Sequence, residues 1–269
     1  MLKDMYNILP GILAIISYAS SATLMLKGLV SGGKPRLAVA LAWLGAVLHA
    51  VYILLIFLQQ NDFNFSFFNA GALVALFIVL LLLFASLDKP VVTLGVAIFP
   101  MAAILLGLDM IFPEKSHPLA SHDWPMSLHI LSSITAFSLL NIAALQAILL
   151  AIQDRLLRNR HPKRMLLALP PLQAMETLLF QMIATGLFFL TVSLLSGFVY
   201  IDDLFAQHLV HKTVLAIFAW VIFSALLIGR LLYGWRGASA IKWTLIGFVL
   251  LLLAYFGSKL VLELILKKI

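Results

Sequence analysis

Histidine carries any metal or cofactor chemistry that this chain can perform. The sequence contains seven histidines and no cysteine, which excludes disulfides, thiolate metal sites and redox thiol pairs. His208 and His211 are three residues apart, so a helix would place both imidazoles on one face, where they could bind a metal ion together. A zinc site generally requires a further histidine or a carboxylate. The pair therefore fits a metal site and, equally, a polar cap on a membrane helix.

Two other histidines lie within long apolar stretches, His49 in AVLHAVYIL and His129 in PMSLHILSS. An ionisable residue inside a membrane span usually faces the bundle interior or a water-filled cavity, so both are candidates for binding a ligand. His49 also fits a hydrogen bond between neighbouring helices. His129 also fits an interfacial histidine that reaches the lipid headgroups.

Two lysines occur in similarly apolar surroundings. Lys212 follows His211 directly, and Lys259 lies within the final apolar run. Either ammonium group could face an anionic ligand. Lys259 also precedes Glu263 by four residues, a spacing that favours a local ion pair on one helix face.

Imidazoles, aromatic rings and cations together fit the binding of a planar anionic cofactor. Haem needs one or two neutral imidazoles on its iron, an apolar slot for its ring and donors for its propionates. Enzymatic motifs are absent from the sequence, which has no HExxH, no phosphate-binding glycine loop and no evident grouping of serine, histidine and acid. We therefore expect a protein that binds haem and is not an enzyme.

Membrane helices must position these residues. Hydrophobic residues make up 63% of the chain and charged residues 11%, against about 25% charged residues in soluble domains. Because a helix needs about 20 apolar residues to cross a hydrocarbon core of about 30 Å, we expect about eight transmembrane helices. The predicted fold is an all-α integral membrane protein, a single polytopic domain over residues 1–269. The predicted spans are 8–28, 37–58, 67–87, 91–111, 126–152, 172–199, 209–233 and 240–266.

The charges of the loops predict the orientation of these spans. Short cytoplasmic loops carry an excess of Lys and Arg. Basic residues concentrate in alternate loops, above all in 154–164, so these loops should be cytoplasmic and both termini periplasmic. This distribution argues against nucleic-acid binding. It also places His49 inside the membrane and gathers a group of histidines at the outer face: His117, His122, His129, His208 and His211.

Residues 120–260 resemble the transmembrane cytochrome c assembly family, which contains CcsA, CcmC and the HemX-like proteins. The likeness rests on SHDWPMSLHILSSITAFSLLNIAALQAILL, FFLTVSLLSGFVY, HKTVLAIFAWVIFSALLIGR and GFVLLLLAYFGSKL. His129 falls on a family histidine at the outer end of a helix. The W-x-W-D loop of the haem-handling members is replaced by IDDLFAQHLVHK, which contains His208 and His211. The resemblance implies a helical membrane fold and haem handling during cytochrome c assembly.

These observations together predict a bacterial inner-membrane protein that binds or passes haem in a cavity of the outer leaflet. Its expected partners are the lipid bilayer, haem and a cytochrome-assembly or haem-pathway protein. His129 and His211 are the expected iron ligands, and the other candidates for contact with the cofactor are His49, His208, Lys212 and Lys259.

Two other functions fit parts of the sequence. A non-enzymatic regulator or scaffold of a haem-pathway or other protein would use the basic loop 154–164 as its docking surface. A small-molecule transporter is a weaker alternative, because the sequence shows neither an internal repeat nor a pair of interrupted helices.

Overall fold

The computed structural model describes residues 2–31, 33, 35–60, 67–112, 124–158, 169–200 and 210–257. Every regular element in these ranges is a helix. A short 3-10 turn, Val92–Leu94, precedes the fourth α-helix, and a π-helical turn, Leu253–Gly257, follows the eighth. The α-helices are α1 (Leu2–Ser31), α2 (Arg36–Gln60), α3 (Phe67–Asp88), α4 (Gly95–Ile111), α5 (Trp124–Arg158), α6 (Leu172–Tyr200), α7 (Val210–Tyr233) and α8 (Ala238–Leu252).

Eight helices in the described ranges are long and apolar enough to cross a membrane. They coincide with the predicted spans because each apolar run is bounded by charged residues, proline or glycine, where a membrane helix ends or leaves the bilayer. Large apolar side chains such as Ile16, Phe188 and Leu231 are exposed on the helix surfaces. In a bilayer these exposed side chains contact lipid tails. The all-α membrane fold predicted from the sequence is confirmed.

Helices α1 to α4 form a first compact unit. Within it, α1 packs against α2 and α4, and α3 packs against the same two helices, so the four form a ring. The rings of Tyr18 and Phe99 stack in its core with centroids 6.0 Å apart. Gly45 lets α2 approach α1 closely, because a Cβ atom at this position would lie 2.8 Å from the Tyr18 ring.

Helices α5 to α8 form a second compact unit. Here α5 packs against α6 and α8, and α7 packs against the same two helices. The indole of Trp220, well inside α7, donates a 2.8 Å hydrogen bond to the Thr191 hydroxyl of α6. Neighbouring helices run antiparallel, so the starts of α5 and α7 and the ends of α6 and α8 lie at one end of this unit. We call this end the His129 end, after the histidine in the second turn of α5.

Candidate functional site

The His129 imidazole joins the start of α5 to the end of α6. Its Nδ1 atom lies 2.9 Å from the carbonyl oxygen of Ser193 and 3.3 Å from the hydroxyl of Ser196. The Ser196 hydroxyl itself donates to the Ser193 carbonyl over 2.9 Å. Both partners lie near the end of α6, where the antiparallel arrangement brings them opposite the second turn of α5.

These contacts determine which ring nitrogen of His129 holds the proton. A carbonyl oxygen can only accept a hydrogen bond, so Nδ1 must be the donor to Ser193. In the neutral imidazole the other nitrogen, Nε2, then has a free lone pair. Histidines that bind metals are commonly held in this way, with one N–H donated to a backbone carbonyl or carboxylate. The side chain is half-buried, and no hydrogen bond of Nε2 is seen in the described ranges.

A second polar contact joins the same two helices beside His129. The Ser193 hydroxyl is hydrogen-bonded to the hydroxyl of Ser133, which lies one turn after His129 on α5. The Tyr255 ring, on the π-helical turn after α8, packs against Phe137 of α5 with a centroid distance of 4.9 Å. Helix α5 is therefore joined to α6 by polar contacts and to the turn after α8 by aromatic packing.

Two exposed aromatic rings lie at the His129 end of the second unit. Trp124 opens α5 and is 76% exposed, and Phe198 lies one turn after Ser193 and is 49% exposed. Such rings suit the interface of a bilayer, and they also suit the apolar ring of a cofactor. The indole of Trp220 is directed to α6 by its hydrogen bond to Thr191.

His211 lies in the first turn of α7, at the same end of the unit as His129. Its side chain is exposed, and α7 is diagonally opposite α5 in the ring of four helices. No contact between the two imidazoles occurs in the described part of the unit. Lys212 is half-buried beside His211. His208 and Lys259 lie outside the described residues, so their assignment to the site stays a prediction.

His49 lies in the first unit and is completely buried. Its Nδ1 atom is 3.3 Å from the hydroxyl of Tyr18 on α1, and the two rings meet edge to face. Its Nε2 atom is buried without a hydrogen-bond partner. Because a tyrosine hydroxyl can donate or accept, this contact does not settle which nitrogen of His49 is protonated. The interhelical hydrogen bond considered for His49 is present, and a role toward a cofactor stays a prediction.

A site for a metal ion held by protein side chains alone is not apparent. The described ranges contain no group of three or more histidines, cysteines and acidic residues placed to hold one ion. His129 can supply one ligand nitrogen. This donor set suits a cofactor that brings its metal with it, such as haem, better than a bare ion that needs several protein ligands.

Two acidic residues have structural partners that the sequence did not reveal. Asp109 is buried in the first unit and accepts a 3.0 Å hydrogen bond from the Tyr52 hydroxyl. Glu176, in the second turn of α6, accepts a 2.8 Å bond from the Gly237 amide and pairs with Arg230 at 3.8 Å. Both partners are far away in sequence, and no local pattern signals such pairs.

Comparison with known proteins assigns the chain to a family. A family model described as "Cytochrome C assembly protein" matches residues 37–266. This chain belongs to the cytochrome c assembly family. The match includes the segment 120–260 that carried the sequence resemblance and extends it through most of the first unit. The predicted family is thereby confirmed, and the chain is a membrane protein related to cytochrome c biogenesis.

Individual relatives in this family cover the chain to different extents. "Inner membrane protein YpjD" of Escherichia coli strain K12 is 34% identical over 263 residues, which are 94% of this chain and 98% of the relative. An "Uncharacterized 28.8 kDa protein in nifR3-like 5'region" of Azospirillum brasilense is 29% identical over 143 residues. That match spans 52% of this chain and 53% of the Azospirillum protein.

A solved structure shares the fold. "Cytochrome c Heme Lyase CcmF" superposes with a TM-score of 0.64 and 16% sequence identity, covering 97% of this chain. The superposition covers only 50% of the CcmF chain. At this identity the likeness shows the arrangement of helices, and it carries no residue roles.

Proposed function

We propose that this member of the cytochrome c assembly family binds haem at the His129 end of its second unit, with His129 as an axial ligand. The proposal rests chiefly on the Nδ1 contact with the Ser193 carbonyl, which leaves the lone pair of Nε2 for iron. Family membership supports it, since the family is that of cytochrome c assembly proteins and CcmF, which shares the fold, is a cytochrome c haem lyase.

The residues of this chain have distinct roles in such a site. His129 would supply one nitrogen to the iron, and the exposed rings of Trp124 and Phe198 would cover the macrocycle. His211, at the same end, is the proposed second ligand. Lys212 follows His211 directly in the sequence, so its ammonium group is the proposed partner of a haem propionate. Bound haem supplies an iron that cycles between ferric and ferrous states, and axial ligands tune its potential.

The proposed setting is the inner membrane, since the Escherichia coli relative YpjD is an inner membrane protein. From the charges of the loops we propose that the His129 end faces the periplasm, as do both termini. We propose that the protein is not an enzyme, and that it holds or passes haem in cooperation with another protein of cytochrome c assembly.

Haemin titration of the purified full-length protein tests this function. We expect a Soret band in the wild type. His129→Ala should weaken haem affinity by at least about 100-fold, because losing a ligand should cost no less than losing its outer-shell partners, which typically costs 10–100-fold. His211→Ala should convert a spectrum with two nitrogen ligands to one with a single nitrogen ligand. His161→Ala, in the basic loop predicted to face the cytoplasm, is the matched control and should leave the spectrum unchanged. A wild type without a Soret band would overturn the proposal.

A scaffold for a partner protein is the second candidate function. Arg155 and Arg158 are both exposed at the end of α5, where the basic loop begins. Asp154 neutralises only Arg158, at 3.1 Å, so the surface stays basic and suits an acidic partner. If neutralising Arg155 and Arg158 released a defined cytochrome-assembly protein while His129→Ala changed nothing, the scaffold would replace the haem site as the function.

A further inference from the structure

Lys242 is the one charged residue of the eighth membrane span, and it faces away from the helix bundle. The span covers Ala238–Gly257. The buried face of α8 is formed by Ala240, Thr244, Gly247 and Leu251. Lys242 is exposed, and it lies opposite Ala240 because two residues are about 200° apart around an α-helix. Charged side chains inside membrane spans usually face the bundle interior, so the outward position of Lys242 indicates a partner outside the protein.

The face of Lys242 continues as an apolar surface along α8. Ile246 and Val249 follow on this face and are 37% and 51% exposed. Trp243 lies beside Lys242 and is 37% exposed. Its indole N–H forms no hydrogen bond within the described ranges. A cation at one end, an indole beside it and apolar side chains beyond match the headgroup, ester region and acyl chain of a phospholipid.

The turn before α8 supplies a second cation. Arg236 is exposed in this turn, residues 234–237, at the same end of the second unit as Lys242. Neither Arg236 nor Lys242 forms an ion pair or a hydrogen bond in the described part of the chain. Both charges are therefore available to an anion.

Contacts on both sides hold the backbone of this turn. The Glu176 carboxylate accepts a 2.8 Å hydrogen bond from the Gly237 amide. Arg230 donates to the Trp235 carbonyl over 3.3 Å. Glu176 and Arg230 also pair with each other at 3.8 Å, so their charges offset. The turn thus presents Arg236 from a fixed backbone, and the net charge of its surroundings stays positive.

We propose that this face of α8 binds one anionic phospholipid. The lipid phosphate contacts Arg236 and Lys242, and the Trp243 N–H donates to an ester or phosphate oxygen. An acyl chain lies along Ile246 and Val249. A zwitterionic lipid carries its own cation beside the phosphate, so it gains less from two basic residues. This role goes beyond the proposed function and does not depend on haem.

Native mass spectrometry of the purified full-length protein tests the site. The probes are phosphatidylglycerol, which is anionic, and phosphatidylcholine with the same acyl chains, which is zwitterionic. Lys242→Gln and Arg236→Gln should each lower the affinity for phosphatidylglycerol about fivefold, the contribution of one basic residue at an anionic membrane surface. The wild type should prefer phosphatidylglycerol about 25-fold, the product of two such contributions.

Two further variants separate a built site from a general attraction of charges. Trp243→Phe keeps every charge and should lower the affinity about threefold, as loss of a hydrogen bond of ordinary strength does. Lys27→Gln is the matched control, because Lys27 is also an exposed cation on a membrane helix, but no tryptophan or tyrosine lies within a turn of it. The control should keep the affinity of the wild type.

Three results would overturn the proposal. The first is equal affinity of the wild type for the two lipids, and the second is a loss in Lys27→Gln as large as that in Lys242→Gln. The third comes from thermal unfolding in detergent micelles, where phosphatidylglycerol should raise the midpoint of the wild type and inorganic phosphate should not. If inorganic phosphate alone raised it as much, and Lys242→Gln removed the effect, the site would bind a free anion and not a lipid.

Discussion

Two histidines in the described ranges, His49 and His129, are held in opposite ways. His49 is enclosed in the first unit and contacts a tyrosine hydroxyl, which can donate or accept a hydrogen bond. His129 is half-buried at one end of the second unit and contacts a carbonyl, which can only accept. Because a carbonyl needs a donor, Nδ1 is the protonated ring nitrogen of His129. The tyrosine hydroxyl does not determine which ring nitrogen of His49 is protonated.

This difference indicates that the two histidines have different roles, one in packing and one in binding. A fully buried ring with an edge-to-face contact contributes packing, so its loss should be felt mainly as lost stability. A partly accessible ring with a fixed lone pair contributes little packing and is suited to binding. Exposure and the nature of the hydrogen-bond partner therefore separate two histidines that look alike in sequence, since each lies in an apolar run.

The largest expected effect concerns stability after removal of each imidazole. His49→Ala leaves a cavity beside Tyr18 in a close-packed core, so the free energy of unfolding should fall by about 2–4 kcal/mol. His129→Ala should cost about 1 kcal/mol, the usual worth of one hydrogen bond. Denaturant unfolding of both variants in detergent micelles measures these values.

Equal losses of unfolding free energy in His49→Ala and His129→Ala would contradict the difference drawn between the two histidines. Haem titration of the same samples tests it further, because here His129→Ala should have the larger effect. His129→Ala should lose affinity, and His49→Ala should retain it wherever the protein remains folded. If His49→Ala abolished the Soret band in folded protein, His49 would be a cofactor residue, as the sequence allowed, and not only a packing residue.

An intermediate effect is expected at the glycines that set the helix spacing in each unit. A Cβ atom at Gly45 would lie 2.8 Å from the Tyr18 ring, which is stacked on Phe99 and cannot move easily. A Cβ atom at Gly186 would lie 2.8 Å from Leu140, an aliphatic side chain that can change rotamer. Gly45→Ala should therefore destabilise by about 1–3 kcal/mol and Gly186→Ala by less. Unfolding midpoints in the opposite order would contradict this reasoning.

The smallest effect concerns single hydroxyls beside each histidine. Tyr18→Phe removes the only described partner of the His49 ring nitrogen, at a cost of about 0.6–1.7 kcal/mol for a hydrogen bond within a membrane. Ser196→Ala leaves the Ser193 carbonyl in place for His129, so the cost should be below about 0.5 kcal/mol. Thermal unfolding in micelles compares the two, and a larger loss for Ser196→Ala would show that its hydroxyl, and not the carbonyl, holds the imidazole.

The sequence was sufficient to predict the helices because membrane spans are specified locally. Each apolar run of about 20 residues must form its own backbone hydrogen bonds inside the bilayer, whatever its neighbours are. The predicted boundaries consequently agree with the structure to within a few residues in the described ranges. The grouping of α1 to α4 and of α5 to α8 into two compact units depends on contacts between spans. The apolar pattern of each span does not encode such contacts, so the grouping could not be predicted from it.

The candidate site could be predicted only in part. His129 was named from its place in an apolar run and from the family resemblance, and no contact was needed for that. Ser193 was not singled out, because serine is common in membrane helices and its partners, His129 and Ser133, lie on another span. The contacts of Glu176 with Gly237 and Arg230 went unnoticed for the same reason.

The order of the helices in the chain also bears on how the second unit is assembled during synthesis. Because α5 and α6 are synthesised before α7 and α8, the contacts of His129 and Ser133 with Ser193 can form as soon as this first pair of helices has entered the bilayer. The ring of four closes later, when α8 packs against both α5 and α7. The histidine contact is therefore a property of one helix pair and does not wait for the complete unit.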